Sequence, residues 1–130
     1  ALGQRHFDED RAWTEIETLF ATFVETYERG RIDAFAALFD DEADANRRHG
    51  RAAIRGEYDE LFRLSQWRKM QLTRVNWKRV GDRTVAKGEI TVRIGWRDGR
   101  EVEQRLALDV ELVRRDGRVV IARLSQQPKN

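Results

Sequence analysis

Cysteine is absent from the 130 residues. Disulfides, thiolate metal sites and thiol nucleophiles are excluded with it. Histidine is nearly absent, with only His6 and His49. No His/Asp/Glu group has the spacing of a metal site, so no metal and no cofactor is expected. No apolar run approaches the ~20 residues of a membrane-spanning helix, and no signal-peptide pattern is present. The first residue is Ala, which suggests a processed product or an excised domain. A dominant charge is missing too. The 25 Lys and Arg stand against 23 Asp and Glu, leaving +2. The signs alternate, as in "GREVEQRLALDVELVRRDGR", rather than gathering on one face. A solvated surface is expected and a nucleic-acid partner is not.

What is present is periodicity. The length fits one domain, 1–130, with its core over about residues 10–125. "ALGQRHF" has no period and reads as a loose lead-in, with His6 an exposed terminal residue. From Asp10 to Arg29, Trp13, Ile16, Leu19, Phe20, Phe23, Val24 and Tyr27 recur at gaps of three and four. That spacing predicts an amphipathic helix, with Asp8, Glu9 and Asp10 at its positive end and Gly30 at its stop. Asp33 can cap a short second helix through Phe39. Glu42 to Arg48 reads as a short strand. Past Gly50 a third helix carries Ile54, Tyr58, Leu61 and Phe62.

The second half changes to a period of two. Gly81-Asp82, Asp98-Gly99 and Asp116-Gly117 are turn signals, the last two being strong hairpin pairs. They divide four strands, at about 70–80, 83–96, 101–114 and 118–125. Ile90, Val92, Ile94 and Trp96 share one face, and Leu106, Leu108, Val110 and Leu112 the matching one. Their charged neighbours fall on the opposite parity. "QQPKN" reads as a tail. The expected fold class is therefore α+β: three N-terminal helices packed on a strongly curved antiparallel sheet, a cone-shaped α+β barrel.

Three stretches carry a family likeness: "FVETYERGRIDAFAALFDDEA", "HGRAAIRGEYDELF" and "LDVELVRRDGRVVIARL". With this element order, the chain resembles the nuclear transport factor 2-like superfamily, which includes SnoaL-like proteins and ketosteroid isomerases. Within it the chain is most similar to bacterial accessory domains, some linked to L,D-transpeptidase-related envelope proteins. The resemblance implies a cavity between helices and sheet, and a homodimer through the sheet. It leaves the compartment open between bacterial periplasm or envelope and cytoplasm. Function does not follow from it, because enzymes and binding modules share this cone.

In enzymes of the superfamily the cavity holds an acid or a His. A carboxylate in an apolar pocket can act as base or proton donor. The long strands here send almost no ionisable group inward. On the first strand, Ala43, Ala45 and Arg47 face one way, and Asp44, Asn46 and Arg48 the other. The likeness to ketosteroid isomerase would put a catalytic base near Asp44. The apolar matching strands offer no counterpart of its oxyanion-hole Tyr and Asp. His49, ahead of the third helix, is the other candidate base. Arg47, Arg48, Arg51 and Arg55 could meet an anion, but a solvated face explains them more simply.

Core packing accounts for the four Trp residues, with Trp13 on the first helix's buried stripe. Trp67 and Trp96 would alternatively rim a cavity mouth. Trp77, if outward, would mark a dimer surface. The candidate ligand-binding residues are Asn46, His49, Tyr58, Trp67 and Trp96. The expectation is a non-enzymatic domain that binds a small apolar ligand or docks to a partner protein. The alternative is a small isomerase or dehydratase with Asp44 or His49 as general base.

Overall fold

A computed structural model describes the backbone of residues 2–129 and the side chains of residues 11–129. The elements run α1 (Leu2–Arg29), α2 (Ile32–Ala36), β1 (Phe39–Ala45), β2 (Arg48–His49), α3 (Arg51–Leu64), β3 (Ser65–Val80), β4 (Arg83–Trp96), β5 (Glu101–Arg115) and β6 (Arg118–Pro128). The side chain of His6 lies outside the described residues.

Helix α1 begins at Leu2, so the residues read as a loose lead-in are helical. Asp8 to Asp10 thus do not stand at the helix N-terminus. The buried stripe of α1 is Ile16, Leu19, Phe20, Phe23 and Tyr27. Trp13 is an exception to the expected stripe. It is 48% exposed and rests edge-on against Trp77 at 5.8 Å. The helix stops as Gly30 predicts. Gly30 adopts a φ of 66°, and its N–H donates to the Tyr27 carbonyl at 3.2 Å while Arg31 donates to Thr26 at 2.9 Å. This pair of bonds is a Schellman motif, which favours glycine at the left-handed position.

The four hairpin strands appear with their turns in the expected places. The six strands form one sheet in the order β2-β1-β6-β5-β4-β3. Two details differ from an all-antiparallel barrel. Strand β1 runs parallel to β6, because α3 and three long strands intervene before the chain returns to it. The sheet is also unclosed, since β2 and β3 are its edges and do not pair. Helices cover the opening instead, α1 packing on β3 and α3 on β1. Irregular register at Thr73/Asn76 in β3, and at Ala122 of β6 opposite Glu111/Leu112 of β5, marks bulges, which bend strands and increase twist.

An aromatic cluster fills the interior where α1, α2 and α3 meet. Phe35, 0% exposed, lies 5.2 Å from Phe23, 5.5 Å from Phe39, 4.6 Å from Tyr58 and 5.7 Å from Phe62, centroid to centroid. Such tilted and edge-on pairs add to the apolar burial itself. A buried cation closes this cluster against the helices. Arg68 of β3 is 8% exposed. It donates to the carbonyls of Tyr27 at 2.8 Å and Glu28 at 3.2 Å, and to the Ser65 hydroxyl. Its guanidinium stands 5.0 Å from the Phe62 ring. One side chain thereby satisfies terminal carbonyls of α1 and the residues closing α3, where the helix dipoles favour positive charge.

Trp77 faces α1. Its ring lies 4.8 Å from Phe20, so it is not on the outer sheet face where a dimer surface was considered. The bulge preceding it in β3 resets the strand's parity. No described helix is long and apolar enough to cross a membrane.

Candidate functional site

A cavity of about 390 Å³ lies between α1, α3 and the concave face of β4 and β5. Val92, Ile94, Leu106 and Leu61 form its apolar wall, and Trp96 stands at its edge. The strict alternation of β4 and β5 puts these residues inside, while Arg93 and Glu103 pair on the other face.

A neutral polar group occupies one end. Asn46 Nδ2 donates to the Tyr58 hydroxyl at 3.2 Å and to Gln126 Oε1 at 3.2 Å. The backbone N–H of Gln126 returns a bond to Asn46 Oδ1 at 3.2 Å. Burial raises the pKa of Tyr58, so its hydroxyl is protonated across the ordinary pH range and serves as donor or acceptor. Tyr27, across the cavity, has its own pKa pushed up to about 12 by burial. It is 4% exposed and lines the cavity. Its ring meets that of Tyr58 edge-on at 6.4 Å.

Asn46 reaches this position because β1 ends one residue earlier. Asn46 and Arg47 take φ values of 49° and 75°, forming the tight turn into β2. The turn breaks the strand parity that grouped Asn46 with Asp44. Asp44 remains exposed on the far side of β1, while Asn46 swings to the cavity.

Asp44 and His49 do form a pair. His49 Nδ1 lies 2.7 Å from Asp44 Oδ1, and Nε2 lies 3.2 Å from Glu42 Oε2. These bonds raise the His49 pKa, the one to Asp44 most. Yet the His49 side chain is 65% exposed and that of Asp44 64%, and neither lines the cavity. Asp44 instead borders an open groove shared with Arg47, Arg123 and Gln127 outside the mouth. Trp67 also stands apart from the cavity. It packs over Gly95 on the outer face of the sheet, 5.8 Å from the Arg93 guanidinium. Of the five candidate ligand residues, Asn46, Tyr58 and Trp96 converge on the cavity; His49 and Trp67 do not.

The arginine group is dispersed into separate pairs: Arg48 with Glu57 at 3.0 Å, Arg51 with Asp41 at 2.7 Å and Arg55 with Asp33 at 2.7 Å. Among the described residues no group of three or more His, Cys, Asp or Glu is arranged to hold a metal ion.

Several lining residues escaped the sequence reading: Tyr27, Glu57, Glu60, Gln104 and Gln126. The "QQPKN" segment is not simply a tail, because β6 continues to Pro128. Extending the two-residue period from Leu124 would have brought Gln126 to the inner face.

The helix–helix–hairpin–helix–meander order, with an open-ended cone, defines the nuclear transport factor 2-like class. The family model that matches is the SnoaL-like domain, over residues 20–122, and the chain belongs to this family. No curated protein matches the chain. Among solved structures, a hexachlorocyclohexane dehydrochlorinase (LinA, type 2) is similar at 13% identity and a TM-score of 0.85, covering 96% of this chain and 90% of that chain. A protein assigned as a scytalone dehydratase from Novosphingobium aromaticivorans is 12% identical, with a TM-score of 0.86 and coverage of 94% and 87%. One assigned as an aromatic ring hydroxylase from the same species is 18% identical, with a TM-score of 0.83 and coverage of 90% and 88%. At such identities the likeness is one of fold.

Proposed function

We propose that this chain is a non-enzymatic binding domain whose cone holds a small, mainly apolar molecule with a hydrogen-bonding group at one end. The observation that carries the reading is the cavity itself, an apolar wall ending in the neutral Asn46–Tyr58–Gln126 group. Pockets of this size and make-up suit small ligands, with few polar groups fixing orientation. A neutral amide–phenol group orients a carbonyl or hydroxyl but takes no proton from it at ordinary pH.

The alternative is an isomerase or dehydratase with Asp44 or His49 as base. A general base must come within hydrogen-bond reach of the proton it removes. The Asp44–His49 pair has acid–base geometry but faces solvent outside the cavity, which favours the binding reading. The neighbours named as a dehydrochlorinase and a dehydratase lend the alternative their fold only.

The test is titration with indole, followed by NMR of the Trp96 indole N–H. Saturable shifts at Trp96 and Tyr58, unaltered in Asp44→Asn and His49→Ala, are expected. A catalytic turnover abolished by either substitution would overturn the reading. The same reading includes a homodimer through the outer sheet face. There the charges are already paired, as in Arg123 with Asp109 at 2.9 Å. Sedimentation at rising protein concentration checks it, and a monomer throughout would remove it.

A further inference from the structure

The charges that line the cavity itself are one-sided, whereas the groove continuing from it past Glu57 and Gln126 carries both Asp44 and the cations Arg47 and Arg123. The chain carries more basic than acidic residues, yet no Lys, Arg or His among the described residues lines the cavity. Its charged lining residues are Glu57 and Glu60, successive positions on one face of α3. Glu57 binds Arg48 through Oε2. Glu60 has no ion pair or hydrogen bond among the described residues, and it is exposed at the mouth. The rings of Tyr27, Tyr58 and Trp96 line the same cavity, Trp96 being the most accessible of the three. A second lining group is also unpaired. Tyr27 is 4% exposed as a residue, and its hydroxyl has no hydrogen-bond partner among the described residues. No fully buried side-chain polar atom of the described residues lacks a partner, so the hydroxyl oxygen of this cavity-lining residue is itself accessible.

We propose that the ligand of this cavity is an apolar amine, its ring or chain against Ile94 and Leu106 and its protonated nitrogen at the mouth between Glu60 and the aromatic rim. The inference rests on the binding reading above and adds the ligand's charge. Three physical effects agree on it. A carboxylate without a partner at the edge of an apolar wall attracts a cation more strongly than it would in open water. Aromatic faces attract organic cations, Trp most of all. An anion in the same place would meet the unpaired carboxylate of Glu60, and the cations of the outer groove, Arg47 and Arg123, do not line the cavity. The Tyr27 hydroxyl and the Asn46–Tyr58–Gln126 group remain available to a polar substituent on the ligand body.

The experiment compares three probes with one ring system: tryptamine, tryptophol and indoleacetate. Each is titrated calorimetrically into the full chain, with the Trp96 indole N–H signal reporting occupancy of the cavity. Tryptamine is expected to bind about fivefold to tenfold more tightly than tryptophol, the size of a partly exposed cation–carboxylate and cation–π contribution. Indoleacetate is expected to bind most weakly. Glu60→Gln should remove most of the amine's advantage and leave tryptophol unchanged. Glu57→Gln, which also releases Arg48, serves as a second variant, and it should reduce the advantage in the same direction. If tryptophol binds as tightly as tryptamine, or Glu60→Gln leaves their ratio unchanged, the amine inference falls while the binding reading stands. If indoleacetate binds best, the inference also falls and Arg47 becomes the anchor to test. If no probe moves the Trp96 signal, both readings fall together.

Discussion

Asn46 and Gln126, eighty positions apart, exchange two hydrogen bonds of 3.2 Å, amide to amide and backbone to side chain. They join the turn after β1 to the end of β6, and Tyr58 of α3 completes the group. This contact closes one end of the cavity and fixes its polar pole. Removing the Tyr58 hydroxyl alone keeps the ring in the Phe35 cluster. Tyr58→Phe is therefore expected to fold, and to lose about 1 kcal/mol, the net value of a typical hydrogen bond. Urea denaturation measures this. Indole derivatives with a hydroxyl should lose affinity in the same variant, while indole itself should not.

Arg68 offers a larger effect. It is buried, and several carbonyls depend on it. Arg68→Met fills similar space but leaves those acceptors unsatisfied. A loss of about 2–4 kcal/mol is expected, from buried polar groups that lose their partner. Denaturant midpoints check it. A loss below about 0.5 kcal/mol, the ordinary scatter of surface substitutions, would show that water replaces the guanidinium.

Gly95 has no room for a side chain, because a Cβ there would overlap the indole of Trp67. Gly95→Ala is expected to destabilise by about 1–3 kcal/mol, as overpacking does. Trp67→Ala in the same chain should relieve most of that cost. A double-mutant cycle measures the coupling, and strictly additive effects would refute the contact as its cause.

His49 gives a pH dependence of defined sign. Its pKa in the folded chain is raised by Asp44 and Glu42. A raised folded pKa means that the protonated form is the one the fold favours. The contribution is fully present below the unfolded value, about 6.5, and disappears as pH rises through the higher folded value. The His49 ring signal should titrate above that unfolded value, and Asp44→Asn should lower its midpoint. A wild-type advantage over His49→Gln should be seen in mild acid and vanish in mild alkali. An advantage that grows with pH would contradict the pairing.

Much of this was legible in the sequence. The two-residue alternation of Ile90 to Trp96 and Leu106 to Leu112 specified which side chains face the concave surface, because a pleated strand leaves no freedom of parity. Gly30 marked the end of α1 because its left-handed φ favours glycine. The Asp-Gly pairs located two of the hairpins. The absence of charge on the inner faces of β4 and β5 followed from the same alternation, and it pointed to an apolar cavity wall; Arg68 of β3 is the inward charge that alternation did not disclose.

What the tertiary structure decided lies where local periods break. Asn46 enters the cavity because a left-handed turn ends β1 before it. Trp77 turns to α1 because a bulge resets β3; the parity of Gln126, by contrast, follows from Leu124, and only the length of β6 lay outside the sequence pattern. Arg68 reads from sequence as one more surface arginine. Only the meeting of α1, α3 and β3 gives it carbonyls to cap in the interior. Glu57 and Glu60 are ordinary helix-surface acids until α3 is laid across the mouth of the cone. Local sequence determines which way a side chain points along its own strand or helix. Which space it then points into depends on elements far away in the chain.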